Sequence, residues 1–464
     1  MAKSGQENIF TNMNAVVKTI GRGTVWTSVG TWGVKLAGLL ATFVTLHQLT
    51  VYEYGLTELA VSILPLLSIF VLPGTTTVVQ AEMSVAKAKK DGTKERALFE
   101  EYFLVQCVLA LIPWALVFFG AEFISRWYNE GIADLFRIVS IAFLISPFRT
   151  VVKLIFQVNL RFGTVASYGV CEELLKFALL LLCFFVFDLR AKSVIIAYIG
   201  SMVLTGIIFA PAFLKEYRPL RAYAKIPGTH PFYRLIRSHG KWGIATNYLN
   251  NFANNIRLWI IKAFLGADAV GLFALASSLF SHTLSLLQLN SVITPILPRY
   301  VHEPERFNRL VDKSIKYQFI GYTISGIATA VIFPILIEHV FPKFLPALPL
   351  FFVMVFTVIP AALSGVLTAV FTAIQAQREL FFATLVKTIV IAVSAPVLII
   401  FFGLYGIAIE FFLTTLFFTM DRYRVLRKKK PTFKVRAKDM LSLDQDDHVI
   451  IGALRSYARK YIGV

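Results

Sequence analysis

Charged residues and cysteines are scarce in this sequence, and each scarcity excludes a class of protein. Only 16% of the 464 residues are charged while 57% are hydrophobic, and soluble domains rarely exceed about 50% apolar residues. The three cysteines lie in apolar segments without CxxC spacing, which predicts neither a disulfide framework nor a metal site. The composition therefore indicates a polytopic membrane protein and not a soluble or secreted domain.

Motifs for catalysis are absent as well. The sequence holds no GxxxxGK[ST] phosphate-binding loop, which excludes a built-in ATP motor of that type, and no HExxH or spaced Cys/His set. The longest expected outside loop, residues 121–131, is too short for the catalytic loop of a membrane glycosyltransferase, polymerase or ligase. We therefore expect a protein without enzymatic activity and without a cofactor.

Long apolar runs predict twelve membrane-spanning helices. A hydrocarbon core about 30 Å thick needs about 20 helical residues. The qualifying segments are 24–49, 55–80, 99–120, 132–156, 168–188, 193–214, 242–263, 270–297, 317–338, 347–373, 380–402 and 405–420. The predicted fold class is an all-α polytopic membrane protein.

The distribution of cations predicts the orientation. With the N-terminus inside, the expected outside loops contain four of the 46 lysines and arginines, namely Arg126, Arg190, Lys192 and Lys343. This strong positive-inside pattern predicts both termini on the cytoplasmic side of the cytoplasmic (inner) membrane, and it explains the net charge of +19 without nucleic acid. The polar stretch before Thr24 lacks a small-residue cleavage pattern, so no removable signal peptide is expected.

An internal repeat divides the predicted spans into two sets of six. GLTELAVS begins at Gly55 and GLFALASS at Gly271, and five of the eight positions match. Each copy follows the first outside loop of its half, which indicates parallel repeats of the kind found in alternating-access transporters. The predicted organisation is a cytoplasmic N-terminus, an N-terminal bundle, a basic linker, a C-terminal bundle and a basic tail, with bounds 1–23, 24–214, 215–241, 242–420 and 421–464.

The stretch NYLNNFANNIRLWIIK, residues 247–262, forms one polar stripe on a membrane helix. At 100° per residue its polar side chains fall within an arc of about 160°. They are Asn247, Asn250, Asn251, Asn254, Asn255, Arg257 and Lys262. Because such groups are costly in hydrocarbon, the stripe must face either other helices, which the amides would join by hydrogen bonds, or a hydrophilic pathway for sugar hydroxyls and an anion.

Other cations lie within predicted spans. Lys35, Arg149, Lys153 and Lys387 have no opposite charge at helical spacing in their own segments, so their partners must come from other helices or from a ligand. An anionic cargo would explain a surplus of such cations, although Lys153 and Lys262 could also snorkel to a helix end. Lys176 is expected to pair within its own helix with Glu172 and Glu173.

Two acids and the tail complete the candidate residues. Glu58 and Glu410 lie in predicted spans and are candidates for ion coupling, the alternative being satisfied acids near the interface. In the tail, residues 448–462 have apolar side chains at a helical period and follow the basic run RKKK at 427–430. This pattern predicts an interfacial helix on anionic membrane lipids, the alternative being a loosely ordered tail.

The stretches NNIRLWIIKAFLGADAVGLFALASSL, residues 254–279, and VYEYGLTELAVSIL, residues 51–64, resemble the polysaccharide flippases of the multidrug/oligosaccharidyl-lipid/polysaccharide exporter superfamily. The resemblance extends over residues 15–425, and its most specific motif is FLGADAVGLFALA at 264–276. Many relatives carry an acid where this chain has Arg257, so the resemblance transfers no acidic coupling role to that position.

The resemblance implies two six-helix bundles in a V around a central cavity, and flipping of a lipid-linked oligosaccharide, usually on undecaprenyl diphosphate, to the outer leaflet. Polysaccharide polymerase machinery is a candidate partner. On this hypothesis cations neutralise the diphosphate (Lys35, Arg149, Lys153, Arg257, Lys387) and amides bind the glycan (Asn247, Asn251, Asn254). Rival functions are a drug/cation antiporter of the same superfamily and, in another class, a polymerase or ligase of lipid-linked glycans.

Overall fold

The computed structural model shows a helical chain. It describes Trp26 and residues 29–72, 74–127, 131–224, 230–235, 241–285, 297–374 and 376–429, so the predicted interfacial helix at 448–462 lies outside the described residues. The α-helices within these ranges are α1 Val29–Gln48, α2 Val51–Leu66, α3 Thr75–Ala88, α4 Gly92–Trp127, α5 Ala133–Val158, α6 Phe162–Phe185, α7 Ala191–Arg221, α8 Pro231–Leu235, α9 Lys241–Leu265, α10 Ala267–Ser285, α11 Pro304–Val340, α12 Ala347–Val355, α13 Val358–Ala373, α14 Gln377–Phe402 and α15 Leu404–Lys429. Short 3₁₀ turns occupy Ser68–Val71, Leu297–Tyr300 and Pro342–Phe344.

Each of the twelve predicted spans coincides with a helix or with a bent pair of helices. Among the described residues, eight helices are long and apolar enough to cross a membrane, and ten spans result if each bent pair counts as one. The other two expected spans, α6 and α9, have 24 and 25 residues, about 36 Å at 1.5 Å per residue. These two helices carry the ion cluster and the asparagine stripe. The chain is an all-α, multi-pass membrane protein.

Two predicted spans are bent, and one begins earlier than expected. The segment predicted from Gly55 starts at Val51 because Thr50 and Glu53 form a capping box: the Thr50 hydroxyl accepts from the Glu53 amide, and the Glu53 carboxylate accepts from the Thr50 amide. The stretches Val51–Leu66 and Ser68–Ala88 then form a bent pair at an angle of 45°. The pair α12 and α13 is bent by 54°.

Glycines allow α2 and α10 to approach at backbone distance. A Cβ on Gly55 would lie 1.9 Å from the Ala267 carbonyl oxygen, and a Cβ on Gly271 would lie 2.3 Å from the Val51 carbonyl oxygen. These are the two glycines that begin the matching octapeptides of the repeat. Small residues at such crossings let membrane helices pack closely where the hydrophobic effect cannot drive association.

The helices form two compact units. The first takes in the described residues up to Leu275 together with Ile337–Ala347 and Ile391–Ile407, and the second takes in Ala276–Leu336, Leu348–Val390 and the described residues from Ala408. In the first unit an apolar core contains side chains from each of the helices α3, α4, α5, α6, α7 and α8. Phe156 and Tyr168 are among its members. In the second unit an apolar core forms around α11, α13 and the end of α15. The domain bounds expected from the sequence stay a prediction.

Candidate functional site: intramembrane cations and a polar helix

A cluster of ions joins α5 to α6 inside the first unit. The Arg149 guanidinium contacts both carboxylate oxygens of Glu172, with Nη2 2.6 Å from Oε1 and Nε donating to Oε2 at 3.0 Å. Lys153 lies one turn further along α5, with Nζ 3.6 Å from Glu172 Oε2. The Glu172 side chain is 7% exposed. Two cations of one helix therefore share one carboxylate of the next.

This arrangement corrects one sequence interpretation. Lys176 pairs with Glu173, as expected. The expected pairing of Lys176 with Glu172 is wrong, because Glu172 is directed across to α5. Since Lys176 and Glu173 balance each other, the cluster of Arg149, Lys153 and Glu172 keeps one net positive charge in the membrane.

Tyr168 lies beside this cluster on α6. The Lys153 ammonium is 4.9 Å from the centroid of the Tyr168 ring, a cation–π contact. The Tyr168 hydroxyl is buried and has no hydrogen-bond partner in the described part of the chain. Leaving such a group unsatisfied costs about 1–3 kcal/mol, and most buried hydroxyls in proteins find a partner.

The polar stripe of α9 packs in part against the α2 segment. Asn251 Nδ2 donates to Ser68 Oγ at 3.3 Å, and Trp259 Nε1 donates to Ser62 Oγ at 2.9 Å. Asn255 donates along its own helix to the Asn251 carbonyl at 2.8 Å. Asn247 and Asn254 are exposed. Part of the stripe therefore joins α9 to a neighbouring helix by hydrogen bonds, which is the first of the two interpretations given above. Among the described residues, the side chains of Asn247 and Asn254 are not used in this way.

The two cations of α9 are buried. Arg257 is 2% exposed, and its Nη1 donates to the Ala253 carbonyl at 3.4 Å. Lys262 is 6% exposed. A ligand could therefore reach Arg257 only after neighbouring side chains move, and its role as an anion contact stays a prediction.

Replacing Asn251 and Asn254 separately tests which part of the stripe is structural. Asn251→Ala should lower the free energy of unfolding by about 0.6 kcal/mol, the average of interhelical hydrogen bonds measured in a membrane protein. Asn254→Ala should leave stability unchanged because the side chain is exposed. The temperature at which each purified variant aggregates in detergent reports its stability relative to the unsubstituted protein. An equal loss for the two variants would contradict this division of the stripe.

A second cationic group lies in the second unit, where Lys387 and Arg422 flank one aromatic ring. Lys387 Nζ is 5.0 Å from the Phe418 centroid, and the Arg422 guanidinium carbon is 3.8 Å from it. Arg422 Nη1 donates to the Ser364 hydroxyl at 3.2 Å and to that of Thr368. Sequence reasoning missed Arg422 because it ended the last span at residue 420, whereas α15 continues to Lys429.

The remaining predicted residues lie on α1, α2 and α15. Lys35, on α1, has its Nζ 5.2 Å from the Trp32 ring centroid. Glu58 lies on α2, one turn after the buried Tyr54. Glu410 is fully buried and accepts a hydrogen bond from Thr414 on α15. Their coupling roles stay predictions.

These features define a polytopic helical protein with charges held inside the membrane, and its fold matches that of solved transporters. The chain superposes on the inward-facing conformation of a multidrug resistance MATE family transporter of the MOP superfamily. The TM-score is 0.70 at 13% identity, covering 87% of this chain and 99% of that one. For the lipid II flippase MurJ in an inward closed conformation, the TM-score is 0.59 at 12% identity, covering 93% of each chain.

The sequence comparisons identify the family. The polysaccharide biosynthesis protein family matches residues 20–301, and the chain belongs to it. The teichuronic acid biosynthesis protein TuaB of Bacillus subtilis (strain 168) is 24% identical over 331 residues. That match covers 70% of this chain and 63% of TuaB, less than two thirds of the relative's length.

Proposed function

We propose that this protein is a flippase that moves a lipid-linked oligosaccharide, carried on undecaprenyl diphosphate, across the cytoplasmic membrane by alternating access. The product would supply surface polysaccharide synthesis, with both termini of the protein in the cytoplasm. Membership of the polysaccharide biosynthesis family and the fold shared with MOP superfamily transporters support a transport role.

The observation that carries the proposal is the positive charge held inside the membrane. Arg149 and Lys153 share the one carboxylate of Glu172, so this group retains a net positive charge. A charge at this depth is costly unless it has a functional counterion, and a diphosphate headgroup supplies one. A drug/cation antiporter would need groups that attract cations, so the same observation disfavours that alternative.

Each predicted residue has a role in this proposal. The diphosphate would be neutralised by cations (Lys35, Arg149, Lys153, Arg257, Lys387), and the glycan would be hydrogen-bonded by amides (Asn247, Asn251, Asn254). Glu58 and Glu410 would carry a coupling ion. Of the amides, Asn247 and Asn254 are the ones whose exposed side chains leave them available to sugar hydroxyls.

A double substitution tests the cationic contacts. Arg257→Ala together with Lys387→Ala should reduce export of the lipid-linked glycan at least tenfold, since an electrostatic contact of about 1.4 kcal/mol changes an equilibrium tenfold. Export is measured in cells that depend on the variant as their sole copy. The matched control is Arg137→Ala with Lys192→Ala, which removes two cations that lie in ion pairs and whose side chains are 38% and 45% exposed. Unchanged export in the test variant would refute the role of these cations.

A further inference from the structure

An apolar groove of about 630 Å³ lies between α4, α5 and α7 in the first unit. Aromatic and aliphatic side chains form most of its wall, including Phe103, Phe148, Ile207 and Phe213. Phe148 is 56% exposed and Ile207 is 62% exposed, so the groove is open along its rim. Along α7 its lining runs from Met202 to Tyr217, about 22 Å at 1.5 Å per residue. An apolar groove of this length fits a hydrocarbon chain and not a sugar.

Arg149 of the ion cluster and the adjacent Tyr168 also line this groove. The Arg149 side chain is 34% exposed although it is paired with Glu172. Tyr168 is fully buried, and its hydroxyl has no hydrogen-bond partner among the described residues. A donor without a partner beside a partly accessible guanidinium is suited to bind phosphate oxygens.

The depth of Arg149 distinguishes between two kinds of lipid. Arg149 lies nine residues before the end of α5 at Val158, about 13 Å along the helix axis. The phosphate of a resident phospholipid stays in the headgroup region, outside the hydrocarbon core. The diphosphate of a lipid that is being carried across must pass the depth of Arg149.

From this geometry we propose that the groove binds the isoprenyl tail of the lipid-linked cargo while Arg149 and Tyr168 bind its diphosphate partway across the membrane. The proposal rests on the flippase function proposed above. It assigns the tail to a surface of α4, α5 and α7, next to the one member of the ion cluster that lines the groove, Arg149.

Gly206 offers a direct test because it lines the groove and a Cβ added there would meet no atom within 4 Å. Gly206→Phe should therefore place a ring in the groove, starting from a Cβ that meets no neighbour. Gly120→Phe is the matched control, since Gly120 also has open space around it and does not line the groove. The probe is undecaprenyl diphosphate with a photoactivatable group on its tail, added to the full-length protein in phosphatidylcholine vesicles.

In the unsubstituted protein, the probe should label peptides of α5 and α7 that contain Phe148 and Ile207. Gly206→Phe should reduce this labelling at least tenfold, Arg149→Gln should reduce it several-fold, and Gly120→Phe should leave it unchanged. Labelling that is insensitive to Gly206→Phe, or that falls on other helices, would overturn the proposal. Displacement of the probe by excess phosphatidylglycerol would also overturn it, because the groove would then hold ordinary phospholipid.

Glycan export by the same variants separates this proposal from the proposed function. If cells export normally without the protein while the probe still labels the groove as expected, the flippase function fails and the groove stands as an isoprenyl diphosphate site. If export requires the protein but the probe does not label the groove, the groove proposal fails alone. Normal export by Gly206→Phe with its labelling lost would also overturn the groove as part of the transport path.

Discussion

Gly55→Ala is expected to destabilise this protein strongly. The added Cβ would lie 1.9 Å from the Ala267 carbonyl oxygen and 2.8 Å from the Gly271 amide nitrogen. Both neighbours are backbone atoms, so the clash can be relieved only by moving α2 away from α10. Overpacking of this kind costs about 1–3 kcal/mol. The measurement is the temperature at which the purified protein aggregates in detergent, followed by size-exclusion chromatography.

Gly120→Ala is the control for this prediction. Gly120 lies within α4, and a Cβ there meets no atom within 4 Å. Alanine is the better helix former, so this variant should be as stable as the unsubstituted protein or slightly more stable. If Gly55→Ala were as stable as Gly120→Ala, the close approach of α2 and α10 would be wrong.

Glu172→Gln should also cause a large loss of stability. The substitution leaves Arg149 and Lys153, one turn apart on α5, without the carboxylate that they share. Removing one partner of a buried ion pair costs about 3–5 kcal/mol. The Arg149 side chain is 34% exposed, so we expect a loss at the lower end of that range, about 3 kcal/mol.

Glu122→Gln provides the comparison for Glu172→Gln. Glu122 also accepts a hydrogen bond from an arginine, Arg137, at 2.7 Å, but the side chains of this pair are 52% and 38% exposed. Exposed ion pairs contribute about 0–1 kcal/mol. Stability is measured for both variants in the same detergent. A loss for Glu172→Gln no larger than that for Glu122→Gln would contradict the shared-carboxylate arrangement.

The repeat in the sequence predicted more than the number of helices. Gly55 and Gly271 were identified as equivalent positions because the octapeptides that they begin match. The structure gives the physical reason, since these glycines let the two copies of the repeat approach at backbone distance. Span positions were predictable because an apolar run of about 20 residues is determined by the thickness of the bilayer and not by tertiary contacts.

Side-chain partners could not be predicted in the same way. Helical spacing reports neighbours on one helix, so it suggested Glu172 for Lys176 and could not detect Arg149 on α5. The contacts of Asn251 with Ser68 and of Trp259 with Ser62 could not be predicted for the same reason, because residues almost 200 positions apart share no local pattern. Arg422 was missed for another reason: hydropathy places the end of a span only to within several residues.

Two cationic groups hold four of the cations that lie in the membrane-spanning helices, Arg149, Lys153, Lys387 and Arg422. Arg149 and Lys153 share a carboxylate from a neighbouring helix, whereas Lys387 and Arg422 are placed around Phe418 with hydroxyls from α13.

The most direct test of the proposed function is the leaflet distribution of lipid-linked glycans in cells that lack the protein. Membranes are probed with a lectin that cannot cross them, before and after permeabilisation, and a strain with the restored protein is the control. The flippase proposal predicts accumulation of the lipid-linked glycan on the cytoplasmic face. Normal translocation, with unpolymerised glycan on the outer face, would contradict it and support the polymerase alternative.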